Sequence, residues 1–235
     1  MFWNNRHISE RKERVTLWGE GESLYILHLS DIHLWYSTGI LTALAALIEK
    51  HQPHIIILTG DYYDLPKGAH NFRAFLKQVA RKHMVVFIRG NHDKMYGSKI
   101  ADLLLGIPNC ICVEDAVYTY QSKQGRVYHI TSWEARAQLP IRECEANIVL
   151  IHNPEKIKEQ ELANIDLILA GHLHGGQFVF FKTKTNAHFP GSLLYKHCTD
   201  RKQIGNTTLI ISRGLGDTFP FRLNCPKEIV HITIE

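Results

Sequence analysis

Three absences narrow the class of this 235-residue sequence before any motif is read. No run approaches the roughly eighteen apolar residues that a bilayer-crossing helix requires, so a spanning segment is not expected. No C-x-x-C pair occurs, and the five cysteines (Cys110, Cys112, Cys144, Cys198 and Cys225) are odd in number and scattered. That argues against a cysteine zinc module or a disulfide framework and predicts reduced thiols in a cytoplasmic protein. No charge of one sign dominates either: 27 Lys and Arg against 23 Asp and Glu leave a formal +4. This balance admits an anionic substrate or membrane surface but falls short of a nucleic-acid-binding footprint. The amino-terminal "MFWNNRHISERKERVTLW" lacks a signal-peptide core, so the expected location is cytoplasmic, with peripheral membrane contact as the alternative. Repeats, low-complexity tracts and composition breaks are also missing, so a single domain over 1–235 is expected, with its core over 24–235.

What the sequence does hold is histidine, fifteen in all, the commonest metal ligand among side chains. It also holds short apolar runs: "LYILHLS", "IIILTG", "MVVFIRG", "NIVLIH" and "DLILAG". Rich in Ile, Val and Leu and stopped by polar or glycine residues, they read as strands buried on both faces. Between the early runs, Ile40, Leu44, Leu47 and Ile48 share one helical face, as do Phe72, Phe75, Leu76 and Val79. Strand alternating with helix predicts parallel βαβ units. Beyond Ile111 the texture shortens to "AVYTYQ" and "RVYHITSW" around a "SKQG" turn, then "TTLIISRG" and "EIVHITIE". "HNPEKIKEQEL" reads as a helix start with Asn153 as N-cap and Pro154 in the first turn. A layered α/β sandwich with mixed sheets fits this order.

Each of the five runs ends in groups able to bind a metal. Asp31 and His33 follow the first, Asp61 the second, and Asn91, His92 and Asp93 the third; His152 ends the fourth, and His172 and His174 follow the fifth. A spacing of two puts both side chains on one side of an extended segment, as for Asp31/His33 and His172/His174. Gly60, Gly90 and Gly171 directly precede three of these groups, where a missing β-carbon lets the backbone turn and approach a ligand closely. Ligands of open α/β sheets sit beyond the carboxyl ends of the strands, so these residues are expected to converge there. Taken singly, Asp31 or Asp61 reads equally well as a turn or cap residue, and His152 as a core histidine; jointly the pattern points to a metal site.

"DIH", "GD", "GNHD", an isolated "H" and "GHLH" stand in the order and spacing of the calcineurin-like metallophosphoesterases, which this sequence resembles from about Leu24 onward. The "GHLHGGQ" ending and the tail around "SRGLG" and "FRLNCPKEIVHITI" resemble the bacterial YkuE/YaeI-like subgroup. The resemblance implies a four-layer α/β/β/α sandwich of two mixed sheets. It also implies two divalent ions, one held by Asp31, His33 and His174, the other by Asn91, His152 and His172, with Asp61 bridging. Nitrogen and oxygen donors without thiolate suit Mn2+, with iron or zinc as alternatives. Such a pair acidifies a water that attacks phosphorus in line. His92 matches the family position for the proton donor to the leaving oxygen, with Asp93 expected to orient its ring.

Substrate contacts are less defined. Arg89 and Arg213 have the guanidinium geometry for phosphate oxygens, with a salt bridge as the alternative for each; Lys94 and Arg222 are weaker candidates. The segment "GQFVFFKTKTNAHFPGSLLYK" reads as an edge strand and loop with its phenylalanines in the core; the alternative is a surface resting on an anionic membrane or a lipid-linked substrate. The expected function is hydrolysis of a phosphoester or phosphoanhydride in a phosphorylated small molecule or lipid-linked substrate. UDP-2,3-diacylglucosamine is one specific alternative, and a non-catalytic metal-bound scaffold is the alternative of another class.

Overall fold

The computed structural model describes residues 8–18, 22–141, 145–217 and 221–235; Cys144 lies outside them. Strands β2 (Leu24–Leu29), β3 (Ile55–Leu58) and β4 (Met84–Phe87) run parallel, joined by helices α1 (Gly39–His51) and α2 (Pro66–Val79). These are the βαβ units of the apolar runs. α1 buries Leu41, Leu44 and Ile48, and α2 buries Phe72, Phe75, Leu76 and Val79, against the same sheet face. β5 (Cys110–Cys112) extends the sheet on one side. On the other, β14 (Glu228–Ile234) lies antiparallel to β2, and β1 (Ser9–Val15) lies parallel to β14. β1 had no apolar signature: its "SERKERV" alternates partly buried and exposed positions, as a charged edge strand does.

The second sheet has the order β12-β13-β9-β8-β7-β6. Its centre is parallel: β7 (Val127–Ser132), β8 (Glu145–Ile151), β9 (Leu167–Ala170) and β13 (Thr207–Ile211). β6 (Tyr118–Gln121) and β12 (Arg201–Ile204) close its edges antiparallel. Three apolar clusters separate four layers. Leu27, Leu29, Leu58 and Phe87 face the helices; Ile26, Ile57, Val86, Ile148, Leu150 and Leu169 fill the space between the sheets. Val149, Ile151, Ile168 and Leu209 pack outward with Trp133 and Ile157.

That fourth layer is thin. The segment after β8 is not an α-helix but two single 3-10 turns, Pro154–Lys156 and Glu159–Glu161. The cap is as expected, with Asn153 Oδ1 accepting from the Glu155 amide at 3.0 Å. The segment after His174 also departs from expectation. It forms an isolated hairpin of β10 (Val179–Lys182) and β11 (His188–Pro190), with Phe180 and Phe181 60% and 55% exposed. Both sheets have already closed their cores with other residues, so no layer is left to cover these rings.

Candidate metal centre

The parallel strands of both sheets end at one rim, and the polar residues that follow them meet there. Asp31 leaves β2 fully buried. Both its oxygens accept the His172 amide at 3.0 Å, which ties the first sheet to the loop after β9. His33 Nε2 and His174 Nε2 lie 3.2 Å apart, and His174 Nε2 is 3.8 Å from Asp31 Oδ1. On the other side, His152 Nε2 is 3.0 Å from Asn91 Oδ1 and 3.1 Å from His172 Nδ1. Asp61 stands between the two sets. Its Oδ1 accepts the His92 amide at 2.9 Å, while Oδ2 lies 3.1 Å from His152 Nε2 and 3.9 Å from His33 Nε2. Asp31/His33/His174 and Asp61/His152/His172 therefore form two donor groups, each able to hold an ion. All seven residues expected as ligands are brought together, with Asn91 the most exposed, at the mouth.

The backbone is bent to do this. Asp31, His33, Asp61, His172 and His174 all have positive φ, between 48° and 70°. None is a glycine, and such conformations cost on the order of 1–3 kcal/mol each, so they persist where surrounding contacts over-determine them. Two glycines serve close approach instead. A β-carbon on Gly90 would stand 2.1 Å from Asp61 Oδ1, and one on Gly171 would stand 2.4 Å from Asp31 Oδ2.

Outer contacts fix which nitrogen His152 and His33 offer. His152 Nδ1 donates to the Thr59 carbonyl at 2.8 Å, leaving Nε2 for the centre. His33 Nδ1 lies 2.7 Å from Asp64 Oδ1, a carboxylate–imidazole pair of the kind that raises ligand basicity. Burial pushes His174 down to about 4 despite Asp31, and burial with nearby His152 lowers His172, so both rings are neutral at pH 7. His152 behaves oppositely. Burial depresses it, but its bond to Asp61 and the charges of Asp31 and Asp61 outweigh that and raise it to about 9. A cation must displace this proton. Metal affinity is therefore expected to rise steeply with pH up to about pH 9 and then flatten, with proton release at pH 7. Calorimetry in buffers of different ionisation enthalpy checks this, and a buffer-independent enthalpy contradicts it.

The ring-orienting role expected of Asp93 falls to another residue. Asp93 is buried and turned to the backbone: its oxygens accept the amides of Gly90 (2.8 Å), Asp61 (2.7 Å) and Tyr62 (2.8 Å). It shapes the loops carrying Asp61 and Asn91 and does not reach the His92 ring. Asp64 does, its Oδ1 2.7 Å from His92 Nδ1, while Trp35 Nε1 donates to Oδ2 at 2.6 Å. The cue in the sequence was the second carboxylate of "GDYYD", three residues past Asp61.

Both candidate substrate arginines are engaged internally. Arg89 holds Glu114 through Nε at 3.1 Å and Nη2 at 2.5 Å, and Asp102 through Nη1 at 2.8 Å. Arg213 holds both oxygens of Asp200 at 2.7 and 2.6 Å. For each the salt bridge, the alternative named above, is what the fold contains. Lys94 likewise meets Glu114 at 3.0 Å, and Arg222 is buried beneath His174 with its Nε on Asp217 at 2.7 Å.

Set beside known proteins, residues 24–176 match the calcineurin-like phosphoesterase family. The chain belongs to that family, one of metal-dependent phosphoester hydrolases. It is 25% identical to phosphodiesterase YaeI of Escherichia coli (strain K12), covering 89% of this chain and 81% of that protein. It is also 25% identical to the uncharacterized metallophosphoesterase YkuE of Bacillus subtilis (strain 168), covering 89% and 78%. An uncharacterized metallophosphoesterase of Campylobacter jejuni is 28% identical over 91% of this chain, which spans 60% of that protein's length. Purple acid phosphatase PPD1 from yellow lupin superposes with a TM-score of 0.51 over 91% of this chain and 50% of its own, at 12% identity, a likeness of fold. Within this family the donor set has a ready meaning: oxygen and imidazole groups without thiolate suit divalent ions such as manganese, iron or zinc. Among the described residues no helix is long and apolar enough to cross a membrane.

Proposed function

We propose that this protein hydrolyses phosphodiesters at a centre of two divalent cations, Asp31, His33 and His174 holding one, Asn91, His152 and His172 the other, and Asp61 both. The observation that carries this reading is the position of Asp61 Oδ2, within 3.9 Å of a nitrogen from each group. Bound there, the cations would supply Lewis acidity and lower the pKa of a coordinated water. The chain's own residues do the rest. Asp61 is aimed by the His92 amide, the imidazoles are set by Thr59 and Asp64, and the His92 ring is held at the edge of the His33 ring, 4.8 Å between centroids. His92 would give its proton to the departing oxygen. A scaffold without turnover has no use for a second imidazole on Asp64. Hydrolysis of bis-p-nitrophenyl phosphate with added Mn2+ tests the proposal, and no turnover with Mn2+, Fe2+ or Zn2+ sinks it.

The surroundings favour an amphipathic, lipid-linked substrate. On one side of His172 lies a polar cleft of about 500 Å3 bordered by Asn91, Lys94, Asn153 and Lys156. On the other lies a groove of about 520 Å3 walled by Leu173, Phe178, Pro190, Leu193, Leu194 and Tyr195. Leu193 and Leu194 are 72% and 80% exposed, apolar surface with nothing over it among the described residues. A phosphate at the centre would then carry a polar group on one side and an apolar chain on the other, as a nucleotide-sugar lipid does. Each methylene seated contributes up to about 0.8 kcal/mol, about fourfold in affinity. In a series of p-nitrophenyl alkyl phosphates, kcat/KM is expected to climb with chain length until the groove is filled. A flat series removes the lipid-linked reading and leaves the phosphodiesterase one.

A further inference from the structure

A second constellation of metal-binding groups lies on the amino-terminal flank of the first sheet, built from residues the reaction does not use. Glu10 on β1, His51 at the last position of α1 and His231 on β14 bring three donor atoms within 4.8 Å of one another. Glu10 Oε2 is 2.7 Å from His51 Nε2 and 3.0 Å from His231 Nε2, and the two rings stand 4.5 Å apart. Both nitrogens are shielded from solvent, yet neither meets hydrogen-bond geometry, the approach to Oε2 being close but off-line. Two buried ring nitrogens without an aligned partner are costly unless something else accepts their lone pairs.

We propose that Glu10, His51 and His231 form a third metal site, mononuclear and suited to zinc, that fastens strand β1 to the carboxyl end of α1 and to β14. Two imidazoles and one carboxylate are zinc ligands, and three protein ligands leave a fourth position for water. Tetrahedral zinc with bonds of about 2.0–2.1 Å separates its ligands by about 3.3 Å. The present 2.7 and 3.0 Å need to open by only a few tenths of an ångström, and the Glu10 side chain is partly exposed. An outer partner is in place: the Tyr25 hydroxyl is 2.6 Å from His231 Nδ1. When the phenol oxygen accepts from Nδ1–H, Nε2 keeps its lone pair for the ion. The other Glu10 oxygen is 3.3 Å from Lys50 Nζ, which orients the carboxylate. β1 is an edge strand of alternating charge with one fully buried side chain, Val15, so a staple at its second residue adds what its sequence does not supply.

The test counts zinc. Full-length protein saturated with Zn2+ and desalted is expected to hold one more zinc per chain than Glu10→Gln or His231→Gln treated alike. Mn2+-dependent hydrolysis of bis-p-nitrophenyl phosphate is expected to stay unchanged in both variants. Equal zinc content in all three proteins overturns the proposal. Should a variant fold poorly, the wild type alone decides: in zinc-soaked crystals an anomalous peak at the zinc edge is expected within bonding distance of all three side chains, and no peak there overturns the site whatever the main centre holds.

Discussion

Asp61→Ala is expected to lose more turnover than any other single substitution in the chain, because it removes the one group both cations share. Two divalent ions side by side repel with about four times the energy of two unit charges, and a bridging carboxylate is what offsets it. Its loss should exceed the roughly 10–100-fold that follows removal of a mere outer-shell partner. Metal content per chain should fall with it. Stability separates this from simple misfolding. In the protein without metal, burial and nearby Asp31 oppose the Asp61 charge, but its contacts with His152 and the His92 amide outweigh them and hold its carboxyl below the usual range, so its removal costs stability there. The melting temperature without metal should therefore fall while the transition stays cooperative. What should vanish is the rise on adding metal, about 2.7 kcal/mol at a hundredfold excess over Kd, or roughly 5–10 °C for a chain of this size. Hydrolysis of bis-p-nitrophenyl phosphate, metal analysis and thermal melts check the three parts. A variant that keeps both ions and activity within tenfold contradicts the bridging role.

The centre was legible because its chemistry sits where the apolar pattern stops. Buried strands such as "DLILAG" announce their own ends, and the residues after them have to occupy the rim. What the pattern could not carry was contact made sideways. Asp64 belongs to no strand end, and only the folded chain shows it between the His33 and His92 rings. Asp93, which follows His92 in sequence, was the nearer guess, yet the short helical turn Asn91–Lys94 sends its carboxylate back to the amides of Gly90, Asp61 and Tyr62. Arg89 and Arg213 show the same limit. A guanidinium reads alike whether it faces phosphate or carboxylate, and Glu114 and Asp200 arrive from other parts of the chain. The positive φ of five ligands has no sequence mark either: aspartate and histidine adopt it more readily than most residues, but nothing local says at which positions.

The four-layer α/β sandwich is as expected, and two local features were missed for a related reason. β1 is held by β14 and by Arg11, whose Nη2 reaches Glu228 at 2.9 Å and the Ile211 carbonyl at 2.7 Å, so its position depends on residues some two hundred places away. The phenylalanines after Gly176 were expected inside because aromatic runs usually are. Phe180 and Phe181 lie outside because the sheets complete their interiors with other residues, chiefly Ile, Leu and Val. Phe178, half-buried, joins Leu173, Leu193, Leu194 and Tyr195 in the groove beside the centre, which gives the site its apolar side.

His92→Gln is expected to lower kcat by roughly 10²–10⁴ while leaving metal content intact, the range for a general acid. The geometry allows a clean substitution, since the contact His92 makes with Asp61 comes from its backbone amide, which any residue supplies. The size of the loss should depend on the leaving group. A p-nitrophenolate departs without protonation, so its esters should show the smaller defect, whereas an alkoxide needs the proton and should show the full one. Asp64→Asn supplies the contrast. Asp64 Oδ1 faces both His92 and the metal-facing His33, so its loss should weaken metal binding about 10–100-fold and slow both ester classes, the alkyl esters somewhat more. If His92 merely props the loop, its replacement will slow aryl and alkyl esters equally, and the proton-donor assignment fails. If the two series diverge strongly for His92→Gln and more weakly for Asp64→Asn, the ring gives its proton to the departing oxygen, and the carboxylate behind it acts by holding that ring and its neighbour in place.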